Sequence, residues 1–122
     1  MASFKSLYNQ TKNVRVAEKV VMATSFLARL KGLLGTSSLP QGEGLFLKPC
    51  QSIHMVGMVY AIDAVFVDHD LKVVGLVEGI KPFMVSKHFK KANACLEIPC
   101  GTIKKAGIEN GDQLVFEDKQ TN

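Results

Sequence analysis

The chain has 122 residues, of which 47% are hydrophobic and 21% are charged, and its formal net charge is +4. This length and composition predict one globular domain with its own apolar core, and they exclude a disordered or fibrous protein. No apolar run approaches the roughly 20 residues of a membrane-spanning helix, and no signal peptide is visible. The three cysteines lack a Cys-x-x-Cys pair, which disfavours a structural zinc knuckle and fits free thiols. We therefore expect a cytoplasmic protein.

One basic run stands out, because Lys87, His88, Lys90 and Lys91 follow closely on one another. Phe89 is the only aromatic residue among them, whereas nucleic-acid-binding segments commonly interleave several. We interpret the run as a solvated surface and disfavour a nucleic acid as the partner.

Most of the predicted elements are short strands separated by turn residues. Residues 1–12 lack periodicity and predict a frayed end or a short edge strand from Phe4 to Tyr8. The elements that follow are a hairpin over residues 14–22 that turns near 17–19, a helix over about 25–34, strands over 44–48, 62–67, 71–78 and 94–98, a helix over about 101–106, and a strand over 113–116. This pattern predicts a mainly β protein, α+β at the margin, whose single domain spans residues 1–122 as a small barrel or sandwich.

The helix over about 25–34 has the clearest pattern. Thr24 or Ser25 can cap its first turn, because a side-chain oxygen can accept from the free amides there. Its apolar residues recur at the spacing of one helical face, and Gly35 can adopt the left-handed conformation that ends a helix.

Residues 62–67 form an apolar run that only Asp63 interrupts. A strand that is apolar on both faces is covered on both sides. A carboxylate within it is expected to be buried, and an unpaired buried charge is costly, so Asp63 should have a partner. The candidates are His54, Ser52, Lys81 or a group of backbone amides.

The stretch from Cys50 to Met58 gathers a thiol, a hydroxyl, an imidazole and two thioethers. Its alternate residues share one face if the stretch is an extended strand. Cys50 and His54 would then lie roughly 13 Å apart, too far to bind one ion. If the chain bends, Cys50, His54 and Met58 are soft ligands suited to Cu(I), or to Zn. The simpler interpretation is a buried His54 with methionines that fill the core.

A pair formed by His54 and Asp63 would resemble two members of a catalytic triad, with Ser52 or Cys50 as the nucleophile. This arrangement predicts a hydrolase or a transferase. No glycine-flanked nucleophile turn surrounds Ser52, however, so we prefer a structural pair and favour a non-enzymatic role.

A series of short motifs occurs in the order that is characteristic of one protein family. The most characteristic is Pro49-Cys50-Gln51-Ser52-Ile53-His54, and the others are residues 26–35, 42–45, 58, 62–66, 81–82, 96–99, 101–102 and 111–112. Over about residues 20–117 the chain therefore resembles the DUF192 family, also called UPF0127. The resemblance implies a compact, mainly β domain of bacteria and archaea, with no established biochemical activity.

The chain departs from the pattern of that family at three positions. Val59 stands where a basic residue is common, Ala61 where a proline is common, and Met55 where a threonine is common. The chain thus lacks the basic side chain on which an anion-binding role at that position would depend.

The polar side chains of the central stretch favour a small-ligand or interaction module. Its predicted pocket is formed by Cys50, Ser52, His54, Asp63 and Lys81. No cofactor is evident from the sequence. A soft-metal site for Cu(I) or Zn and a hydrolase or transferase are the alternatives.

Overall fold

The computed structural model describes residues 4–118, apart from the side chains of Phe26, Leu27 and Leu30. Seven strands and two short helices form the regular structure of these residues. The strands are β1 (Phe4–Asn9), β2 (Val14–Ala23), β3 (Glu43–Leu47), β4 (Ile62–Val67), β5 (Val73–Ile80), β6 (Ala94–Pro99) and β7 (Leu114–Asp118), and the helices are α1 (Phe26–Lys31) and α2 (Thr102–Ala106). The predicted mainly β class is confirmed. The start of the predicted frayed end, residues 1–3, lies outside the described residues.

The strands form one mixed sheet in the order β5-β4-β6-β3-β2-β1-β7. Neighbouring strands are antiparallel except β2 and β3, which run parallel. The two edge strands meet at one end, where Lys72 and Gln113 form a bridge and the Gly111 amide donates to the Val73 carbonyl at 2.8 Å. These contacts close the sheet at that end, so the chain adopts the barrel rather than the sandwich of the two predicted architectures.

The hairpin predicted over residues 14–22 is wrong, because these residues belong to one ten-residue strand, β2. The apolar period breaks there because β1 and β2 change register. Two steps along β1, from Lys5 to Leu7, correspond to three steps along β2, from Val20 to Ala17. The extra residue makes a β-bulge, which shifts the alternation of side chains without turning the chain.

The short edge strand predicted from Phe4 to Tyr8 exists as β1, but it is not at an edge. β2 and β7 flank it on its two sides. β7 comes from the far end of the chain, and a pairing between distant segments leaves no local signal in the sequence.

The helix predicted over about 25–34 is shorter than expected. Ser25 caps it as predicted, since its Oγ accepts from the Ala28 amide at 3.1 Å. The helix ends at Lys31 because Gly32, with a φ of +49°, turns the chain while its amide still bonds to the Ala28 carbonyl. The helix therefore ends four residues before Gly35, the glycine that we expected to end it. The second helix, α2, lies within its predicted range.

Apolar side chains pack on both faces of the barrel wall. One cluster draws on all seven strands and α2, and it fills the interior. A second covers the outer face of β4, β5 and β6, and a third lies on β2 and β3 beneath α1. All six residues of β4 are buried, which confirms that this strand is covered on both sides. No helix among the described residues is long and apolar enough to cross a membrane.

A substitution at Gly75 on β5 tests the packing of the second cluster. A Cβ at this position would overlap the ring of Phe89, which stacks on Phe66 with ring centroids 4.3 Å apart. We expect Gly75→Ala to lower the free energy of unfolding by about 2 kcal/mol in urea denaturation, as overpacking does. In a Phe89→Ala background the same substitution should cost less, because the obstructing ring is gone. An equal cost in both backgrounds would contradict this packing.

Candidate functional site

A cleft of about 390 Å³ opens on the outer surface of the barrel, above the seam between β3 and β6. Leu47 of β3 and Glu97 of β6 are buried at its base. One wall comes from α1 and the residues that follow it up to Leu34, and the other comes from residues 49–58. His88 completes the lining. The cleft is therefore assembled from segments that are far apart in the sequence.

Residues 53–55 are extended and pair with residues 84–86. His54 forms a bridge with Val85, and the Met55 amide donates to the carbonyl of residue 84 at 2.8 Å. Ile53 and Met55 are buried in the second cluster, whereas Ser52 and His54 are exposed. The expectation of a buried His54 is therefore wrong. Because its two neighbours occupy the core, the alternation of an extended chain turns the imidazole outward.

The wall of the cleft bends after this extended segment, at Gly57. The φ of Gly57 is +86°, and a Cβ there would lie 2.8 Å from the Leu34 Cδ2 atom, so a glycine fits this close approach to the opposite wall. Met58 then returns to the core with 8% of its surface exposed. Met55 and Met58 fill core space, as the simpler interpretation of this stretch expects.

The bend at Gly57 follows both Cys50 and His54, so it does not change the path of the chain between them. The described residues also contain no group of three or more His, Cys, Asp or Glu side chains that could hold a metal ion. The predicted Cu(I) or Zn site, which includes Met58, is a different ligand set and stays a prediction.

Basic side chains predominate in the cleft. Arg29, Lys31, His54 and His88 line it, and Glu97 is the one acidic residue in its described lining. The Arg29 Nε atom is buried and has no hydrogen-bond partner among the described residues. A buried donor without a partner costs about 1–3 kcal/mol, so this guanidinium is available to an acceptor that enters the cleft.

Glu97 is the buried carboxyl of the cleft, with 8% of its surface exposed. Leu96 and Ile98, its neighbours on β6, belong to the interior cluster, so the strand alternation turns Glu97 outward. Burial, together with the charge of the nearby Cys50 thiolate, raises the pKa of Glu97 to about 7. The base of the cleft therefore changes its charge near neutral pH.

Cys50 is half-buried in the wall of the cleft, and its thiol donates to the Ser52 carbonyl at 3.1 Å. A hydrogen bond with Cys95 lowers the pKa of Cys50, while burial opposes this effect. The charge of Arg29 lowers it further. Burial raises the pKa of Cys95 well above its usual value. Cys50, which faces the cleft, is therefore the more readily ionised thiol.

Asp63 points to the interior of the barrel, on the opposite face of the sheet from the cleft. Its Oδ1 accepts from the Gly79 amide at 2.8 Å. Its Oδ2 accepts from the amides of Gly101 and Ile103 at 3.0 and 2.9 Å. Of the predicted partners, the backbone amides are the ones that bind it. The predicted pair with His54 is wrong, because β4 turns Asp63 away from the cleft.

Lys81 also lies outside the lining of the cleft. It is exposed at the start of the loop that pairs with residues 53–55, and its carbonyl accepts from the Met84 amide at 3.1 Å. The structure thus brings Cys50, Ser52 and His54 to one cleft and leaves Asp63 and Lys81 elsewhere.

Arg29, His88 and Glu97 line the cleft without having been predicted as site residues. Glu97 carries the same signal as Asp63, a carboxylate inside an apolar strand, so the pattern of residues 94–99 could have found it. Arg29 and His88 carry no comparable signal, because basic residues on a short helix or in a loop are usually solvated.

A comparison with known proteins shows the family of the chain. The family model of DUF192, described as "Uncharacterized ACR", matches residues 7–116. The chain belongs to the DUF192 family. Among its curated relatives, a UPF0127 protein of Thermococcus sibiricus is 30% identical over 116 residues, which cover 91% of this chain and 74% of the relative. The resemblance that the motifs indicated is confirmed.

Two crystal structures share the fold of this DUF192 domain, each with a TM-score of 0.78. One is a protein of unknown function from Novosphingobium aromaticivorans, 22% identical, and the match covers 92% of this chain and 83% of that one. The other, from Sinorhizobium meliloti, is described as a candidate transcription regulator; it is 18% identical, with coverages of 95% and 94%. At these identities the likeness shows the fold alone.

Asp63→Asn tests whether Asp63 is structural. An asparagine can offer its oxygen to two of the three amides, but its NH₂ group then faces the third and leaves a buried donor without an acceptor. We expect the free energy of unfolding to fall by about 2–3 kcal/mol in urea denaturation. The exposed Asp70→Asn should change it by less than about 0.5 kcal/mol. Unchanged stability of Asp63→Asn would contradict the structural role.

Glu97 gives the stability of the domain a pH dependence of definite sign. Its pKa is about 7 in the folded state, against 4.5 for the free carboxyl, so the folded state binds this proton more tightly. The contribution of Glu97 to the free energy of unfolding is therefore largest below the pKa of the free carboxyl, 4.5. It decreases by about 3 kcal/mol as the pH rises to about 7. Glu97→Gln should remove this pH dependence. Urea denaturation of both proteins from about pH 5 to about pH 8 measures how the free energy of unfolding changes with pH. An equal change in the two proteins would refute the assignment to Glu97.

Proposed function

We propose that this DUF192 domain binds a small organic anion in the cleft, with Arg29 as the main contact of the anionic group. The observation that carries the proposal is the buried Arg29 Nε, which has no partner among the described residues. A guanidinium presents a planar set of donors that matches a carboxylate or a phosphate. A ligand of this kind would satisfy the donor and neutralise the positive charge.

The surroundings of Arg29 supply further contacts. Lys31, Ser52 and His54 line the cleft and leave their polar groups exposed to it. The chain that carries Ser52 and His54 is held in place, because the Ile53 amide donates to the Ser86 Oγ at 2.9 Å and the Ile53 side chain is buried. Donors that are already positioned lose less freedom when a ligand binds.

An apolar rim beside the cleft indicates the rest of the ligand. Val56, Phe83, Met84 and Val85 expose 55%, 75%, 51% and 66% of their surfaces. They lie near His54, because the loop around Val85 pairs with the extended segment in the cleft wall. Large exposed apolar side chains that lie together commonly mark a binding surface. We therefore expect an anion with an apolar portion rather than a bare inorganic ion.

The alternatives drawn from the sequence have less support. A hydrolase or transferase that uses His54 with Asp63 needs a pair that the fold separates, since three backbone amides hold the Asp63 carboxylate inside the barrel. The Cu(I) or Zn site stays a prediction, and it requires Cys50 and His54 to reach one ion.

Isothermal titration calorimetry with sodium acetate and sodium octanoate tests the proposal. We expect the reduced protein to bind octanoate more tightly than acetate, because the chain of octanoate reaches the apolar rim. Arg29→Gln should weaken octanoate binding by about tenfold or more, since it removes a charge-assisted hydrogen bond. Val85→Ser should weaken octanoate binding and leave acetate unaffected.

Lys104→Gln is the matched control, because it removes one exposed positive charge on α2 without changing the cleft. It should bind both anions as the wild type does. Equal weakening by Lys104→Gln and Arg29→Gln would indicate a general charge effect, and unweakened binding to Arg29→Gln would refute the assigned contact.

A further inference from the structure

Cys50 and Cys95 come together where β3 gives way to the cleft wall. β3 pairs with β6 so that Leu47 lies opposite Cys95. The chain continues alongside β6, where the Cys50 amide donates to the Asn93 carbonyl at 3.0 Å. Both cysteines contribute to the second cluster, Cys95 as a buried member and Cys50 packed against it. Two thiols that are 45 positions apart in the sequence thus become neighbours.

The two thiols differ in their access to the cleft. Cys50 lines the cleft, whereas Cys95 has 0% of its surface exposed and lies behind it. A reagent in the cleft therefore reaches Cys50 first. The pKa values also favour reaction at Cys50. The hydrogen bond with Cys95 lowers the pKa of Cys50, and burial raises the pKa of Cys95. The thiolate, which is the nucleophilic form of cysteine, is thus favoured at the accessible position.

We propose that Cys50 and Cys95 form a peroxide-reactive dithiol, in which Cys50 attacks a hydroperoxide and Cys95 closes the disulfide. In the first step the Cys50 thiolate attacks the outer oxygen of the hydroperoxide, and the O–O bond breaks. Sulfur is oxidised to the sulfenic acid, and the leaving alkoxide or hydroxide takes a proton from water. In the second step the Cys95 sulfur displaces the hydroxyl group, which leaves as water with the Cys95 proton. The net reaction converts two thiols and one hydroperoxide into a disulfide, an alcohol or water, and a second water.

The rest of the cleft suits the first step. Arg29 lines the cleft close enough for its charge to lower the pKa of Cys50. Its buried Nε has no partner among the described residues and can donate to the oxygen on which negative charge develops. This reaction goes beyond anion binding and does not depend on it, because a hydroperoxide needs no anionic group.

Oxidation of the reduced wild-type protein with one equivalent of hydrogen peroxide tests the proposal by intact-mass and peptide mass spectrometry. We expect the loss of two hydrogen atoms and a cross-link between the peptides that contain Cys50 and Cys95. Cys100 is the matched control, since it is exposed and lies outside the cleft. We expect Cys50 to react at least about tenfold faster than Cys100, although Cys100 is more accessible. Cys100→Ser should oxidise as the wild type does.

Two variants separate the steps. Cys50→Ser should form no intramolecular disulfide, and Cys95→Ala should stop at a sulfenic acid on Cys50, detected as a dimedone adduct. The cross-link in the wild type decides the proposal even if Cys95→Ala fails to fold. Faster oxidation of Cys100, a cross-link to Cys100 or to a second molecule, or no reaction with peroxide would overturn it. Octanoate titration of Cys50→Ser measures anion binding without the dithiol, so failure of one proposal is distinguishable from failure of the other.

Discussion

The barrel depends on one buried carboxylate. Asp63 has 0% of its surface exposed, and its two oxygens accept hydrogen bonds from amides at the end of β5, just before α2 and within α2. A buried carboxylate without donors is costly, and buried amides without an acceptor are costly as well. The carboxylate therefore fixes where β5 and α2 lie against β4. Since β5 is also one of the strands at which the sheet closes, this contact bears on the closure of the barrel.

Glu97 shows what the same side-chain chemistry does on the other face of the wall. β4 and β6 are neighbours and are buried on both faces, but Asp63 points inward and Glu97 points outward. Amides surround Asp63, whereas desolvation dominates the environment of Glu97 and raises its pKa to about 7. One carboxylate therefore supports the fold, and the other gives the cleft a charge that changes near neutral pH.

The cleft exists because two separate coverings lie side by side on the outer face of the sheet. α1 covers β2 and β3, and the loops around residues 53–58 and 84–92 cover β4, β5 and β6. Between them the seam of β3 and β6 stays accessible, with Arg29 on one side and Cys50 on the other. The same arrangement places a cation beside a thiol and leaves a second thiol beneath it. The proposed anion recognition and the proposed thiol chemistry thus draw on one feature of the fold.

Local patterns in the sequence predicted several parts of this site. The alternation of residues 52–55 turns Ser52 and His54 to one face, and a charged residue inside an apolar strand implied that Asp63 has partners. The sequence could not say which face of the stretch would be buried, because that depends on the loop that pairs with it. For the same reason the expectation of a buried His54 was wrong. Its pair with Asp63 does not form because β4 turns Asp63 to the interior.

The sequence by itself determined the mainly β class, a cap of α1 at Thr24 or Ser25, the extent of β4 and the family, since each rests on short local patterns and motifs. The tertiary structure alone decided the closure of the barrel, the bulge in β2, the partners of Asp63 and the meeting of Arg29, Cys50, Cys95 and Glu97. These features arise from strand pairings between distant segments. A pairing of this kind is fixed by packing and register across the whole sheet, and neither is written in the local pattern of residues.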